Sequence, residues 1–189
     1  METALSIAVG IGLSAACGFR IFVPLLIMSI ASIGGHLPLS SGFAWIGTMP
    51  ALVTFATATL LEVGAYFIPW LDHALDTIAT PAAVVAGTIT TASVVTDVSP
   101  FLKWTLALIA GGGIAGLVQG STVALRAKSG VLTAGIGNPI VSLLELIGAT
   151  GTAILAILVP VLALILVAAL LIFVIHRTGR FLFGRSRTT

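Results

Sequence analysis

Long apolar runs, beginning with residues 3–33, leave this chain few possible folds. A membrane-spanning helix needs about twenty mostly apolar residues, and in lipid only helices and closed barrels satisfy all of their backbone hydrogen bonds. The runs are continuous and lack the alternation of barrel strands. Hydrophobic residues make up 58% of the chain and charged residues only 7%, whereas soluble domains are about a quarter charged. The sequence therefore predicts an all-α, polytopic helical membrane protein.

Glycine, proline and polar residues mark the ends of about five predicted spanning helices. Thr80 with Pro81, and Asn138 with Pro139, each place a capping side chain before a proline, a pattern typical of helix starts. The predicted spans cover residues 3–33, 46–68, 80–97, 101–126 and 152–175, with a half-helix from Asn138 to residue 149 between the last two.

The apolar stretch 138–176 is too long for one crossing. As a single helix it would extend about 58 Å, nearly twice the thickness of the hydrocarbon core. The division we favour lies at 148–151 and leaves a last span that bends at Pro160. The alternative makes 138–158 a full crossing and 159–175 another, which gives six spans.

The charges predict an orientation. Residues 177–189 form a tail with four arginines, which the positive-inside rule places in the cytoplasm. Residues 1–176 form the single transmembrane domain, because the first apolar run lacks a basic start and exceeds the length of a cleavable signal. We expect the cytoplasmic membrane of a bacterium, with anionic lipid headgroups rather than nucleic acid as partners of the tail.

Arg20 lies near the middle of the first apolar run. A charge at that depth costs at least about 2.5 kcal/mol, so Arg20 needs an internal partner or water. Pro24 cannot donate to the Arg20 carbonyl and predicts a kink. Glu62, in the second span, can approach Arg20 at a similar depth. Two alternatives stay open: Arg20 reaches the headgroups, or the pair only fixes helix packing.

The run from Asn138 to Glu145 is the richest in polar groups. Asn138 is expected to cap the helix, and Ser142 and Glu145, three residues apart, share one face. If this helix begins inside the membrane, its amino end attracts an anion. The alternative is an interfacial helix whose Glu145 contacts water.

Gly112, Gly116 and Gly120 recur every four residues in the fourth span. Small residues at this spacing predict close helix packing, either within the chain or in a homodimer or small homo-oligomer. Gln119 lies beside that face and either bonds across it or joins a polar path. No nucleophile with a base, nucleotide loop or zinc motif is present, so we predict no enzyme activity, cofactor or metal site. The acidic segment 72–76 is interpreted as a solvated loop.

Several of these motifs together resemble a known family. They are Gly18, Phe19, Arg20 and Pro24, then Glu62, then Pro69 to Asp72 with Asp76, and then Asn138, Pro139, Ser142 and Glu145. This set is similar to the membrane proteins grouped as domain of unknown function 4126, over nearly the whole chain. The resemblance implies an integral membrane protein of this size and no established activity. In that family an acid often follows the position of Glu145, where this chain has Leu146.

The predicted function is that of a small transporter or channel-like protein for an unidentified small polar or ionic solute. Arg20, Glu62 and Glu145 are expected to surround a buried polar site, in which the arginine attracts an anionic group and the carboxylates exchange protons. The alternative is a membrane protein that transports nothing and binds lipid or partner helices through its glycine face.

Overall fold

The computed structural model describes residues 3–65, 69–133 and 137–183, with only the backbone for 69–77 and 177–183. All regular structure in these ranges is helical, which confirms the predicted all-α class. A 3-10 helix, Ser41–Gly47, precedes α3, and a π-helical turn, Ala107–Gly112, joins α5 to α6. The α-helices are α1 (Thr3–Phe19), α2 (Phe22–Ile33), α3 (Met49–Ala65), α4 (Pro69–Val94), α5 (Pro100–Leu106), α6 (Gly113–Thr133), α7 (Asn138–Leu158) and α8 (Pro160–Phe183).

Two helical stretches in the described ranges are long and apolar enough to cross a membrane. They are Pro100–Thr133, with 34 residues, and Asn138–Leu158, with 21 residues. A third candidate combines Ser41–Gly47 with Met49–Ala65, which meet at a bend of 64°. These apolar helices indicate a membrane protein, and the number of five spans stays a prediction.

The first predicted helix is broken into two. α1 ends at Phe19 and α2 begins at Phe22, so the interruption lies at Arg20 and Ile21, just before Pro24. Pro24 is the third residue of α2. Because the first amides of a helix have no intrahelical acceptor, the missing N–H of a proline costs little there.

Other boundaries also differ from those predicted. α4 begins at Pro69 and contains Pro81 in its interior, so the predicted helix start at Thr80 is wrong. The fourth predicted span does not end at Arg126, because α6 continues to Thr133. α4 continues through a proline, which usually ends or kinks a helix, whereas the arginine and lysine in α6 are compatible with a helix.

The predicted break at 148–151 is wrong, because α7 is continuous from Asn138 to Leu158. Its small residues serve packing against α1. A Cβ on Gly148 would lie 3.6 Å from the Phe19 ring, and a Cβ on Gly12 would lie 2.6 Å from that of Ala156. These two contacts show that α7 runs antiparallel to α1.

The chain reverses direction at Val159 and Pro160, where the six-span alternative divides the stretch 138–176. A Cβ on Gly12 would also lie 3.5 Å from Ala163, near the start of α8. At the other end of α1, Phe19 lines the same groove as Leu170. α8 therefore runs parallel to α1, and it continues to Phe183, into the predicted tail.

α1 is the central helix, with glycines on several of its faces. A Cβ on Gly10 would meet Thr91 of α4 at 3.1 Å, and one on Gly18 would meet Val118 of α6 at 2.5 Å. The α1 backbone therefore lies close to both neighbouring helices. Such close approach favours association in lipid, where packing replaces the hydrophobic effect between helices.

The three glycines of the predicted packing face differ in environment. A Cβ on Gly112 would lie 2.7 Å from Thr88 Oγ1, and one on Gly116 would lie 2.9 Å from Val84, both in α4. Gly120 has open space at its Cβ position. The close packing inside the chain therefore involves the first two glycines and not the third.

Gly87→Ala is expected to lower the free energy of unfolding by about 1–3 kcal/mol, as overpacking does. Its Cβ would lie 2.5 Å from Ala115 Cβ and 2.8 Å from the Gly111 carbonyl oxygen. The matched control is Gly120→Ala, which should be neutral or stabilising by up to about 1 kcal/mol. Thermal unfolding of both variants in detergent measures the difference, and equal melting temperatures would contradict the packing.

Candidate functional site

The break between α1 and α2 exposes two backbone amides that a glutamate binds. The Ile21 N–H donates to Glu62 Oε1 at 2.8 Å, and the Phe22 N–H donates to Glu62 Oε2 at 3.1 Å. A carboxylate at a helix amino terminus satisfies free donors and interacts favourably with the helix dipole. The Glu62 side chain of α3 therefore caps α2.

Glu62 was predicted to approach Arg20. In the structure its carboxylate binds the two backbone amides that directly follow Arg20. Its charge is also attracted by two guanidinium groups, those of Arg20 and Arg126. The α2 amides and both cations therefore stabilise one carboxylate.

Arg126 and Glu145 form a two-pronged ion pair between α6 and α7. Arg126 Nε donates to Glu145 Oε1 at 2.9 Å, and Arg126 Nη2 donates to Glu145 Oε2. The side chains are only 3% and 4% exposed. Each residue lies seven positions from the connection between the helices, about 10 Å along its axis, so the two meet at equal depth.

Arg20 bonds the same face of α7. Its Nη2 donates to the Ser142 carbonyl oxygen at 3.1 Å and to the Ser142 hydroxyl. The same nitrogen lies 3.7 Å from Glu145 Oε2, and the Arg20 side chain is 1% exposed. Ser142 and Glu145 thus share one helix face that meets Arg20. We call Arg20, Glu62, Arg126 and Glu145 the ion cluster; it holds two positive and two negative groups.

Asn138 does not have its predicted role. Gly137 occupies the capping position that precedes α7, and Asn138 is already the first residue of the helix. The Gly137 N–H instead donates to Thr133 Oγ1 of α6, at 2.9 Å. A Cβ on Gly130 would lie 3.9 Å from Asn138 Oδ1. The amino end of α7 therefore lies against the end of α6, about two turns from Glu145.

Gln119 and the cluster share one helix. Gln119 is buried, at 2% exposed, and lies on the same face of α6 as Thr122 and Arg126. Its carbonyl oxygen accepts a hydrogen bond from Thr122 Oγ1 at 2.9 Å. Gln119 is about 10 Å along the helix from Arg126, so it extends the polar face of α6 rather than joining the ion cluster.

Arg126 is the cluster member that our sequence reasoning missed. We placed it at the end of the fourth predicted span. A usable signal was present: Gln119, Thr122 and Arg126 are spaced by three and four residues, as one helix face requires. The side chains of the acidic segment 72–76 and of the predicted tail 177–189 lie outside the described residues.

Glu62→Ala is expected to lower the free energy of unfolding by about 1–3 kcal/mol, because it leaves the Ile21 and Phe22 amides without their acceptor. Thermal unfolding in detergent measures the loss. Thr57→Ala is the control in the same helix, since the exposed Thr57 hydroxyl bonds only its own helix, at Val53. A Glu62→Ala variant as stable as Thr57→Ala would contradict the capping role.

Two apolar helical stretches are long enough to cross a membrane, and four ionisable side chains meet among the helices, buried or half-buried. This combination defines a helical membrane protein with polar groups in its interior. The chain belongs to the family described as "Domain of unknown function (DUF4126)", which matches residues 7–179. This match confirms the resemblance found in the sequence motifs. No curated protein and no solved structure matches the chain.

Proposed function

We propose that this protein is a small integral membrane transporter or channel-like protein, and that the ion cluster is the site through which a small polar or ionic solute passes. The observation that carries the proposal is the convergence of four buried or half-buried ionisable side chains at a helix break. They come from α3, α6, α7 and the segment between α1 and α2.

The free-energy cost of burying these charges supports a role for the ion cluster beyond helix packing. Replacing a buried ion pair by apolar side chains of similar volume is often neutral or stabilising. The chain has only six acidic residues, yet two of them, Glu62 and Glu145, lie in this cluster. Ionisable groups inside membrane proteins commonly mark solute or proton paths.

The helix break supports the same proposal. Discontinuous helices place backbone groups beside the binding sites of many transporters. Here the Arg20 side chain bonds α7, while the amides that follow it bond Glu62 of α3. Arg20 therefore connects the pair α2 and α3 to the pair α6 and α7. Movement of one pair against the other would break and remake these bonds and open the cluster to alternate sides.

The proposal is tested with purified protein in liposomes. Light scattering follows swelling in a panel of neutral and ionic solutes, and at least one solute should enter faster than in protein-free liposomes. Arg20→Ala should abolish that flux, whereas Lys128→Ala, which removes an exposed cation of α6, should retain it. The proposal is wrong if no solute enters faster, or if folded Arg20→Ala protein conducts like the wild type.

The orientation of the protein in the membrane is part of the same proposal. We place the protein in a bacterial cytoplasmic membrane with its carboxyl end in the cytoplasm, following the positive charge of residues 177–189. A fluorescent protein fused after residue 189, which matures only in the cytoplasm, should be bright in intact cells. A dark fusion of normal abundance would reverse the orientation.

A second candidate function, lipid binding, is favoured by a different feature. A partly open cavity of about 120 Å³ lies between α1, α7 and α8. An acyl chain fits such an apolar lining. Thr152→Trp should fill the cavity and reduce the lipid that copurifies, measured by mass spectrometry, while solute flux stays unchanged. The lining residues are Phe19, Thr152, Leu155, Ala163, Leu166, Val167 and Leu170.

A further inference from the structure

We propose that α1 and α2 form a re-entrant hairpin, which enters the membrane and leaves it on the same side, and that α2 is the movable arm that closes the ion cluster on that side. The tip of this hairpin is the break at Arg20 and Ile21. The gating by α2 rests on the proposed transport function and describes its control, whereas the path of α1 and α2 through the membrane is independent of that function.

The direction of α2 follows from the position of the segment after it. The Ser40 N–H donates to the Ser93 carbonyl oxygen of α4 at 2.8 Å. Two residues earlier in α4, Thr91 Oγ1 donates to the carbonyl oxygen of Gly10, in the first half of α1, at 3.1 Å. The chain that leaves α2 at Ile33 therefore returns to the level of Gly10.

An α2 that continued in the direction of α1 could not make this contact. Ile33 would then lie about 34 Å from Gly10 along the helix axis, whereas the segment from Ile33 to Ser40 spans at most about 25 Å even when fully extended. The segment is shorter than that, because the Leu37 N–H turns back to donate to the Ala31 carbonyl oxygen, at 3.2 Å. α2 therefore turns back at the break, and α1 and α2 form a hairpin.

α3 lies antiparallel to α2. The Phe22 N–H at the start of α2 donates to Glu62 near the end of α3. Near the other end of α2, a Cβ on Gly47, just before α3 begins, would lie 2.5 Å from the Ser32 hydroxyl oxygen. The hairpin tip therefore lies beside the end of α3, and both ends of the hairpin lie on the side where α3 begins.

The helices around the tip extend well beyond it. A Cβ on Gly148 of α7 would contact the Phe19 ring at 3.6 Å, and the part of α7 from Gly148 back to Asn138 adds about 15 Å. The part of α6 from Val118, beside the end of α1, to Thr133 adds about 22 Å. Both helices belong to the stretches that are long and apolar enough to cross a membrane. The tip therefore ends inside the membrane, where irregular backbone is tolerated only if protein or water surrounds it.

The apolar core closes the ion cluster on the hairpin side. Leu13 of α1 and Met28 of α2 are both fully buried there, in one core with Phe55 of α3. Beyond the tip, by contrast, the described ends of α6 and α7 carry exposed residues, with Val131 at 87% and Ile140 at 65%. On the side where α1 begins, the way out of the cluster therefore leads through the contact of α1 with α2 and α3.

α2 is the arm of the hairpin that can move. The α1 backbone packs closely against α4, α6 and α7 at Gly10, Gly18 and Gly12, which fixes α1 in the middle of the protein. α2 contains no glycine, and Glu62 ties its first amides to α3. α2 and α3 can therefore swing together about the break, away from α1.

Two hydroxyl groups on these helices support such an opening. Ser29 of α2 is fully buried, and neither its Oγ nor the buried Thr59 Oγ1 of α3 has a hydrogen-bond partner among the described residues. In contrast, the Thr54 and Thr57 hydroxyls of α3 donate to the carbonyl oxygen four residues back. A buried hydroxyl without a partner is unfavourable, and water or solute in the open form would supply the missing bonds.

The topology arm of the test labels single cysteines with a membrane-impermeant, sulfonated maleimide, in intact cells and in inverted vesicles. Cys17 is the only cysteine of the chain and is fully buried, so Cys17→Ala is the parent and should stay unlabelled. Ala4→Cys in α1 and Ser41→Cys after α2 should both be labelled from one side, and Lys128→Cys of α6 only from the other. All three positions are exposed. Labelling of Ala4→Cys and Ser41→Cys from opposite sides would overturn the hairpin, because α1 and α2 would then cross the membrane.

The gate arm ties the end of the hairpin to α4. Ser40→Cys and Ser93→Cys are combined in the Cys17→Ala parent, because a backbone hydrogen bond of 2.8 Å joins these residues and cysteine is close to serine in size. Oxidation to the disulfide should abolish the flux of the solute found in the liposome panel, and dithiothreitol should restore it. The control is Ser32→Cys with Gly47→Cys, whose Cβ atoms would lie 3.2 Å apart. Its disulfide joins α2 to the segment before α3, within the moving part, and should leave the flux unchanged.

The two arms separate this inference from the function on which it rests. If no solute in the panel enters faster than in protein-free liposomes, transport and its gate are removed, and the labelling alone decides the hairpin. Flux that persists in the oxidised Ser40→Cys, Ser93→Cys protein would keep transport and overturn the gate. Flux that is lost in the oxidised control would also overturn it, because α2 and α3 would then have to move against each other.

Discussion

Glu145→Ala is expected to lower the free energy of unfolding by about 3–5 kcal/mol, which makes it the most damaging single substitution that we predict. The carboxylate is 4% exposed and binds Arg126 through both oxygens. Its removal leaves two guanidinium groups buried without their common partner, and uncompensated buried charge costs more than the intact pair gains. Unfolding in detergent with increasing denaturant measures the loss.

A double-mutant cycle tests that explanation. Arg126→Ala and Glu145→Ala should together destabilise by less than the sum of the two single changes, because the second change removes a charge that the first left without its partner. Leu144→Ala, at an exposed neighbouring position, should cost less than about 1 kcal/mol. Additive losses in the cycle would contradict the ion pair.

The fold class followed from composition and apolar run length, because lipid leaves the backbone only one arrangement that such runs can adopt. Helix ends were harder to predict. Rules that end a helix at glycine or proline come from water, where freed backbone groups are solvated. In this chain Pro81 and Gly148 lie inside helices. The glycine serves close packing against Phe19, and a partner in another part of the chain is not visible in a local pattern.

The same limitation explains why the cluster was predicted only in part. Arg20, Glu62 and Glu145 stand out because they are charges in apolar runs. Arg126 was taken as the last residue of the fourth predicted span, where it did not stand out as a buried charge. Because α6 extends to Thr133, Arg126 and Glu145 are each seven residues from the connection between α6 and α7. Two side chains at equal distances from the connection lie at the same depth and can pair.

The capping of α2 by Glu62 could not be predicted from the residues next to the helix break. Pro24 indicates an irregularity in the first helix, but the broken segment contains no acidic residue that could cap α2 from within. The carboxylate comes from α3, forty residues along the chain from Phe22. Such a contact is set by how α2 and α3 pack, so only the tertiary structure reveals it.

The last prediction separates the function of the cluster from its contribution to folding. In the triple variant Arg20→Met, Arg126→Met, Glu145→Leu, the charges that converge on α7 are replaced together by apolar side chains of similar size, and Glu62 keeps the Ile21 and Phe22 amides as its donors. Its free energy of unfolding should lie within about 1 kcal/mol of the wild type or above it, while solute flux should vanish. Circular dichroism with denaturant and the liposome assay measure the two quantities on one preparation. A folded triple variant that still conducts would exclude the cluster from the solute path, and a triple variant that fails to fold would assign the charges to structure instead.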